Sequence, residues 1–227
     1  LFFIKYLSKY KYLNKFFHKY FLICFDSDLF FNKPKTTQFK KNYWLSKKSL
    51  FWHYAHLYNN RYSEIFKNLY ETHNDMFEDK KVLDLMSGLG PLYRKIDTSN
   101  FTFIEQNKFC CEHLRKTFPE STIVNSDWKR LKDFENKIDT LILTNGNLID
   151  FDQLDIDTFF DYIKKIKNLI LIRDGTFLKD FTDNHTGYNL WNIIDRLKAH
   201  NLNYKSSEFY YEKGKNYYKY FIMKTKN

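Results

Sequence analysis

Apolar residues recur at three- and four-residue spacing from the first positions of the chain. Phe3, Tyr6, Leu7, Tyr10, Leu13, Phe17, Tyr20, Phe21 and Cys24 form one stripe, and Lys5, Lys9, Lys11, Lys15 and Lys19 mostly lie off it. This predicts an amphipathic helix over 1–24. Residues 26–48, with Pro34 and two lysine pairs, read as a loop. Helical spacing returns over 49–71 through Trp52, Tyr54, Leu57, Tyr58, Tyr62, Ile65, Phe66 and Leu69. From Lys81 the period changes. Short apolar runs at 81–86, 101–105, 121–125, 138–144 and 168–173 alternate with helical segments, the pattern of a parallel sheet covered by helices. Two aromatic, partly alternating runs near the end, "YKSSEFYYEKG" and "NYYKYFIMK", flank Glu212-Lys213-Gly214. They predict an antiparallel hairpin closing the sheet edge. The expected division is a basic, aromatic N-terminal extension over 1–48 and one α/β domain over 49–227, opening with the helix at 49–71.

Composition changes this picture in one respect. The net charge is +10, but residues 1–48 hold eleven lysines against Asp26 and Asp28, which is nine of those ten charges. The body is near neutral, which argues against a large nucleic-acid footprint. The bias toward Phe, Tyr, Lys, Asn and Ile also follows AT-rich codons, so part of the basicity needs no partner. The three cysteines, Cys24, Cys110 and Cys111, form neither a disulfide framework nor a zinc-spaced set, which fits a reducing compartment and no metal site. No uncharged apolar run approaches the ~20 residues needed to cross a bilayer, and neither a signal nor a transit peptide is recognisable. A cytoplasmic protein is expected, peripheral to a membrane if residues 1–24 lie on one. Self-association, or packing of that helix on the domain, is the other use of the stripe.

The candidate chemistry starts at "KVLDLMSGLGPL", Lys81–Leu92. An apolar strand carries one acid, Asp84, and breaks into Ser87-Gly88-Leu89-Gly90 before Pro91. A strand ending in a glycine turn is a common way to bring backbone close to a nucleoside-type cofactor, and Pro91 is compatible with the first turn of a helix there. The next strand, "FTFIEQN", ends in Glu105, about twenty residues after Asp84, where an acid can accept ribose hydroxyls. A dinucleotide loop would read G-x-G-x-x-G, and no third glycine follows Gly90.

"VLDLMSGLG", "FTFIEQN", "TIVNSDW" and "IDTLILTNGNL" resemble, in order and spacing, the successive strand ends of class I S-adenosylmethionine-dependent methyltransferases of the small-molecule type. The resemblance runs from about Phe51 to the C-terminus. It implies a Rossmann-like, doubly wound, seven-stranded, mostly parallel sheet with S-adenosyl-L-methionine as cofactor. On the matching positions, Asp84, Ser87, Gly88 and Gly90 form the loop at the methionine part of the cofactor. Glu105 is the ribose acid and Gln106 its neighbour beside the adenosine. Asp127 faces the adenine amino group, with Trp128 to pack on the ring. Thr144, Asn145 and Gly146 line the cofactor at the fourth strand, where Asn147 meets the substrate. The chain departs from the family at Met86, where a glycine is usual. "YAHLYNNRY" is similar to the segment that lids the cofactor, and Tyr54, Tyr58 and Tyr62 share one helical face. Simple core packing is the alternative for them.

The fourth motif lacks both the Asn/Asp-Pro-Pro-aromatic pattern of base-amino methylation and the Pro-Cys nucleophile of cytosine-C5 enzymes. Its "GN" followed by apolar residues is similar to small-molecule O- and N-methyltransferases, and the resemblance implies a small-molecule acceptor methylated on O or N. An RNA or protein methyltransferase using the basic arm, or a membrane-surface enzyme acting on a lipid-linked substrate, remains open. An oxygen nucleophile needs a base; the candidates are His185, Asp174, Tyr58, His53 and His56. Glu105→Ala is expected to weaken cofactor binding without unfolding the protein.

Overall fold

The computed structural model describes residues 45, 50, 53, 60–144, 153–163, 165–174, 203–210 and 217–224. Five strands lie parallel and side by side: β1 (Val82–Leu85), β2 (Phe101–Glu105), β3 (Thr122–Asn125), β4 (Thr140–Thr144) and β5 (Asn168–Asp174). Their order is 3-2-1-4-5, so the winding reverses between β1 and β4. The sheet continues through β7 (Tyr217–Lys224), antiparallel to β5, to β6 (Asn203–Tyr210) at the edge, antiparallel to β7.

The strands read as near-continuous apolar runs because helices and loops cover both faces. Leu83, Leu85, Ile104, Leu141, Leu143, Leu169 and Leu171 pack on one side with Trp128, Phe159, Phe160 and Ile163. Val82, Phe101, Phe103, Ile142, Ile170 and Ile172 pack on the other with Phe66, Leu69, Tyr93 and Phe118. The split follows the two-residue period of strand side chains. Each of these large side chains contributes about 1.5–3 kcal/mol by leaving water.

Helix α1 (Asn60–Thr72) has no internal glycine or proline and buries Phe66 and Leu69, one turn apart, while Glu64, Lys67, Asn68 and Glu71 face solvent. Helix α2 (Lys108–Thr117) is capped by Asn107, whose side chain accepts the Phe109 amide at 2.9 Å. It carries Arg115 and Lys116 in its last turn, favourably for the helix dipole. Helix α3 (Gln153–Ile163) brings Phe159, Phe160 and Ile163 onto the sheet. At the amino end of the strands, the Asp139 carboxylate accepts the Lys81 amide at 3.1 Å and pairs with Lys167 at 3.2 Å.

The parallel α/β architecture matches expectation, and the five parallel strands lie within two residues of their expected bounds. The connection from β1 to β2 differs. No α-helix follows Pro91; residues 91–100 are a succession of turns. Its apolar cover comes from Leu92 and Tyr93, and Lys95 pairs with Glu64 of α1 at the surface. Fifteen residues suffice for a parallel crossover without a regular helix. The helix expected at 1–24, the loop expected at 26–48 apart from Leu45, and Tyr54, His56, Tyr58, Asn145, Gly146, Asn147 and His185 lie outside the described residues; Leu45 is helical where a loop was expected. Leu45, Leu50 and His53 are helical, as is all of 60–72. Among the described residues, no helix is long and apolar enough to cross a membrane.

Candidate functional site

After Leu85 the backbone enters the left-handed region at every second residue: Met86 at φ 61°, Gly88 at 58° and Gly90 at 64°. Two of the three are glycines, which adopt this conformation without a Cβ clash. Met86 holds it without that relief. Its amide is pinned to the Ile104 carbonyl at 2.7 Å, and its side chain packs against the core. The loop closes with the Gly90 amide on the Ser87 carbonyl at 3.0 Å and the Tyr93 amide on the Gly90 carbonyl at 3.2 Å. A Cβ on Gly90 would stand 2.7 Å from Phe118 Cε2, so this glycine permits close packing against α2.

Glu105 ties this loop to the next corner. Its Oε2 accepts the Gly88 amide at 2.8 Å and its Oε1 accepts the Asn107 amide at 2.7 Å. The side chain is 6% exposed. Burial raises its pKa above the usual carboxylate range, against the opposing pull of the Asn107 and Gly88 amides. Each oxygen retains acceptor capacity beyond its amide.

Asp84 lies on β1, and Glu105 lies two residues beyond Phe103, its partner on β2. Neither Asp84 oxygen has a hydrogen-bond partner, nor do Ser87 Oγ and the Tyr93 hydroxyl, all buried. Burial pushes the Asp84 carboxyl well above its ordinary range; the Tyr93 hydroxyl opposes the shift and Glu105 adds to it. Buried polar atoms left unpaired cost about 1–3 kcal/mol each. All four atoms belong to Asp84, Ser87 and Tyr93, the stretch that carries the glycine turn, and such groups call for an explanation.

Leu50 and His53, before α1, lie over the loop. Leu50 packs with Leu89 and Cys110, and one turn later the His53 ring lies on Gly88. A Cβ built on Gly88 would meet His53 Nδ1 at 2.8 Å and Cε1 at 3.0 Å. Burial lowers the His53 pKa to about 4, so the imidazole is neutral at physiological pH.

Gln106, Asp127, Trp128, Thr144 and Asp174 lie along the same carboxyl edge of the sheet. Gln106 is half-buried after β2, its carbonyl accepting Asn125 Nδ2 at 3.0 Å. Asp127, after β3, caps a 3-10 segment (Trp128–Phe134) by accepting the Lys129 amide at 3.0 Å. Trp128 is a core residue, edge-on to Phe159 at 5.7 Å with the Lys129 ammonium over its ring. Contact with a base would fall to its small exposed part. Thr144 and Asp174 end β4 and β5, and Tyr62 lies in the first turn of α1. Cys110 and Cys111 are buried free thiols, Cys111 donating to the Glu105 carbonyl at 3.1 Å. The structure thus gathers Asp84, Ser87, Gly88, Gly90 and Glu105 in one place and sets Gln106, Asp127, Thr144 and Asp174 at or just after the carboxyl ends of β2 to β5. Sequence reasoning did not single out Tyr93 or Leu50. Tyr93 reads as one more core aromatic, whereas the Leu50–His53 pairing at i, i+3 was a visible helical-face signal.

In doubly wound sheets ligands bind outside the carboxyl ends of the strands where the winding reverses, which here is between β1 and β4. Comparison with solved structures narrows the fold. The chain is similar to magnesium protoporphyrin IX methyltransferase (ChlM) from Synechocystis PCC 6803 with bound SAH, at TM-score 0.59 and 13% identity, covering 84% of this chain and 99% of that one. It is similar to the methyltransferase domain of bacterial CtHen1-CN, at 0.52 and 11%, covering 73% and 98%. It is also similar to the glycopeptide N-methyltransferase MtfA, at 0.51 and 10%, covering 72% and 96%. No family model matches the sequence, and no curated protein does. The chain has the fold of class I S-adenosylmethionine-dependent methyltransferases.

Proposed function

We propose that the protein transfers a methyl group from S-adenosylmethionine to an oxygen or nitrogen of a small molecule. The observation that carries this reading is the left-handed loop at Met86, Gly88 and Gly90, braced by Glu105 and lying over the unpaired Asp84. The residues present fit such a cofactor. Gly88 and Gly90 supply the left-handed turns of the loop, Asp84 and Ser87 hold buried polar atoms for an ammonium group, and Glu105 keeps lone pairs for ribose hydroxyls. Gln106, Asp127 and the exposed part of Trp128 would border the adenosine, and Thr144, Asn145 and Gly146 the far side. Tyr54, Tyr58 and Tyr62 would complete the roof begun by Leu50 and His53, and Asn147 would face the acceptor. Similar structures were solved with SAM, SAH or sinefungin, which supports the choice of nucleoside.

When bound, that cofactor supplies an activated methyl on a sulfonium. The chain's own work is to orient the acceptor in line with it and to exclude water. An oxygen acceptor needs a proton taken from it; Asp174, His185, Tyr58 and the neutral His53 are the candidates, and no metal is invoked. Calorimetry of the full chain with S-adenosylmethionine, S-adenosylhomocysteine and NAD tests the reading. Binding of the first two is expected, and binding of NAD alone would overturn it. The acceptor is then sought as a mass gain of one methyl in a metabolite extract.

The charge concentrated in residues 1–48 favours one second reading, in which that arm brings the domain to RNA or to an anionic membrane. Salt-dependent RNA binding, or liposome co-sedimentation lost on deleting 1–24, would establish it.

A further inference from the structure

The register of β5, β7 and β6 sets charge at one end of an otherwise apolar face. On β5, Leu169, Leu171 and Arg173 share a face by the two-residue period of strands. Leu169 and Leu171 are buried there with Phe159 and Phe160 of α3. Arg173 lies one residue beyond the last β4–β5 pair, Thr144 with Ile172. It therefore stands at the carboxyl edge of the sheet, the edge that carries the glycine loop. Its partner on β7 is Lys219, and the partner of Lys219 on β6 is Glu208. The neighbouring rows on this face are uncharged: Leu171, Phe221 and Ser206 on one side, Tyr217 and Tyr210 on the other. Asp174 falls in the next row, with Tyr218 and Phe209, on the opposite face. Like charges directly opposite each other in an antiparallel pair destabilise it, because their Cβ atoms stand only about 4.5–5.5 Å apart. Glu208 is one acid against two cations, and it borders the row only on the Lys219 side. An anion held by both cations removes their repulsion, and arginine with lysine suits a carboxylate or a phosphate.

We propose that Arg173 and Lys219 bind a carboxylate or phosphate group of the methyl acceptor. The proposal rests on the methyltransferase reading above and names the acceptor class, an anionic small molecule. The spacing suits an acceptor rather than the cofactor. In the sheet order β5 is two strands from β1 and β7 is three, so the two cationic positions lie about 10–14 Å across the sheet from the glycine loop, at about 4.8 Å per strand. An acceptor that presents its O or N near the ends of β1 and β4 then carries its charged group roughly 10 Å away. A contact so far from the reacting atoms is made equally before and during transfer, and it acts on acceptor affinity more than on turnover.

Two experiments on the full chain decide it. In the first, inorganic phosphate is exchanged for chloride at constant ionic strength, and nitrogen-15 NMR follows the Arg173 Nε–H. Saturable phosphate binding is expected, weakened about tenfold in Lys219→Gln and strengthened in Glu208→Gln, which removes the neighbouring acid. An Arg173 resonance that phosphate moves no more than chloride overturns the proposal, and a lower melting temperature in Arg173→Gln would then assign the arginine to an acid of this chain. In the second, S-adenosylmethionine labelled in its methyl group is incubated with the protein and a small-molecule extract split on an anion exchanger. Label is expected in the retained fraction, and Arg173→Gln should raise the half-saturating amount of that fraction about tenfold. Prior phosphatase treatment tells the two anions apart: acceptor activity lost marks a phosphate, activity kept marks a carboxylate. Label confined to the unretained fraction overturns the proposal and leaves the methyltransferase reading intact. Phosphate binding that follows Lys219 and Glu208, with no label in any fraction and no binding of S-adenosylmethionine, removes the methyltransferase reading and upholds the anion site.

Discussion

Replacing Glu105 by alanine is expected to destabilise the fold as well as the site. The reason is geometric: its two oxygens accept two different backbone amides, Gly88 at 2.8 Å and Asn107 at 2.7 Å. Alanine leaves both amides unpaired in a protein interior. Hydrogen bonds to a charged acceptor contribute about 1.5–3 kcal/mol each. Against this, alanine removes a carboxyl that is itself desolvated, as its raised pKa records. The net loss is on the order of 2–4 kcal/mol, or roughly 5–15 °C in melting temperature for a chain of this size. Glu105→Gln keeps an acceptor for one amide and turns an NH2 toward the other, so it should lose about half as much. Thermal and urea unfolding of the three proteins give the energies, and amide exchange at Gly88 and Asn107 reports whether the loop is released. A melt within about 1 °C of wild type, with both amides still slow, would refute the bracing role. Cofactor titrations on the same samples would show weakened affinity in both variants. The sequence alone suggested a carboxylate free to face a ligand; the structure makes it also a strut.

Asp84→Asn should be more stable than wild type, with a gain that grows with pH. The unfolded chain ionises Asp84 near 3.8 and the folded chain only at higher pH. The wild type therefore loses up to about 1.4 kcal/mol per pH unit between the two values; urea unfolding across pH measures it, and a flat difference would contradict the buried neutral acid. Gly88→Ala should cost on the order of 1–2 kcal/mol from its left-handed backbone alone, and additionally displace the His53 ring. A double-mutant cycle with His53→Ala should recover at least about 0.5 kcal/mol, and strict additivity would show that the two do not touch. Met86→Gly should change stability by less than about 1 kcal/mol, relief at φ 61° offsetting lost packing and added chain entropy. Met86→Val should lose more, because β-branched residues are the poorest in that region; equal losses would show the strain to be absent.

The strands were legible in the sequence because their apolar runs are short, bounded and repeated. A sheet buried on both faces has to be written that way. The glycine turn after Asp84 and the acid ending the next strand were legible for a similar reason: backbone at positive φ favours glycine, and a lone carboxylate in an apolar strand is conspicuous. Periodicity is silent about segments that turn without repeating. It therefore left room for a helix at Pro91, where the tertiary structure runs through turns packed by Leu92 and Tyr93. Met86 shows the same limit from the other side. Its identity argues for an ordinary conformation, whereas the structure holds it left-handed, with its amide hydrogen-bonded to the Ile104 carbonyl across the sheet. Sequence placed Asp84 and Glu105 on adjacent strand ends but said nothing of their partners. That one carboxylate is braced by two amides, while the other is left with a tyrosine hydroxyl, was decided by how β1, β2 and their loops meet. Partners distant along the chain are a property of packing, which no local pattern encodes.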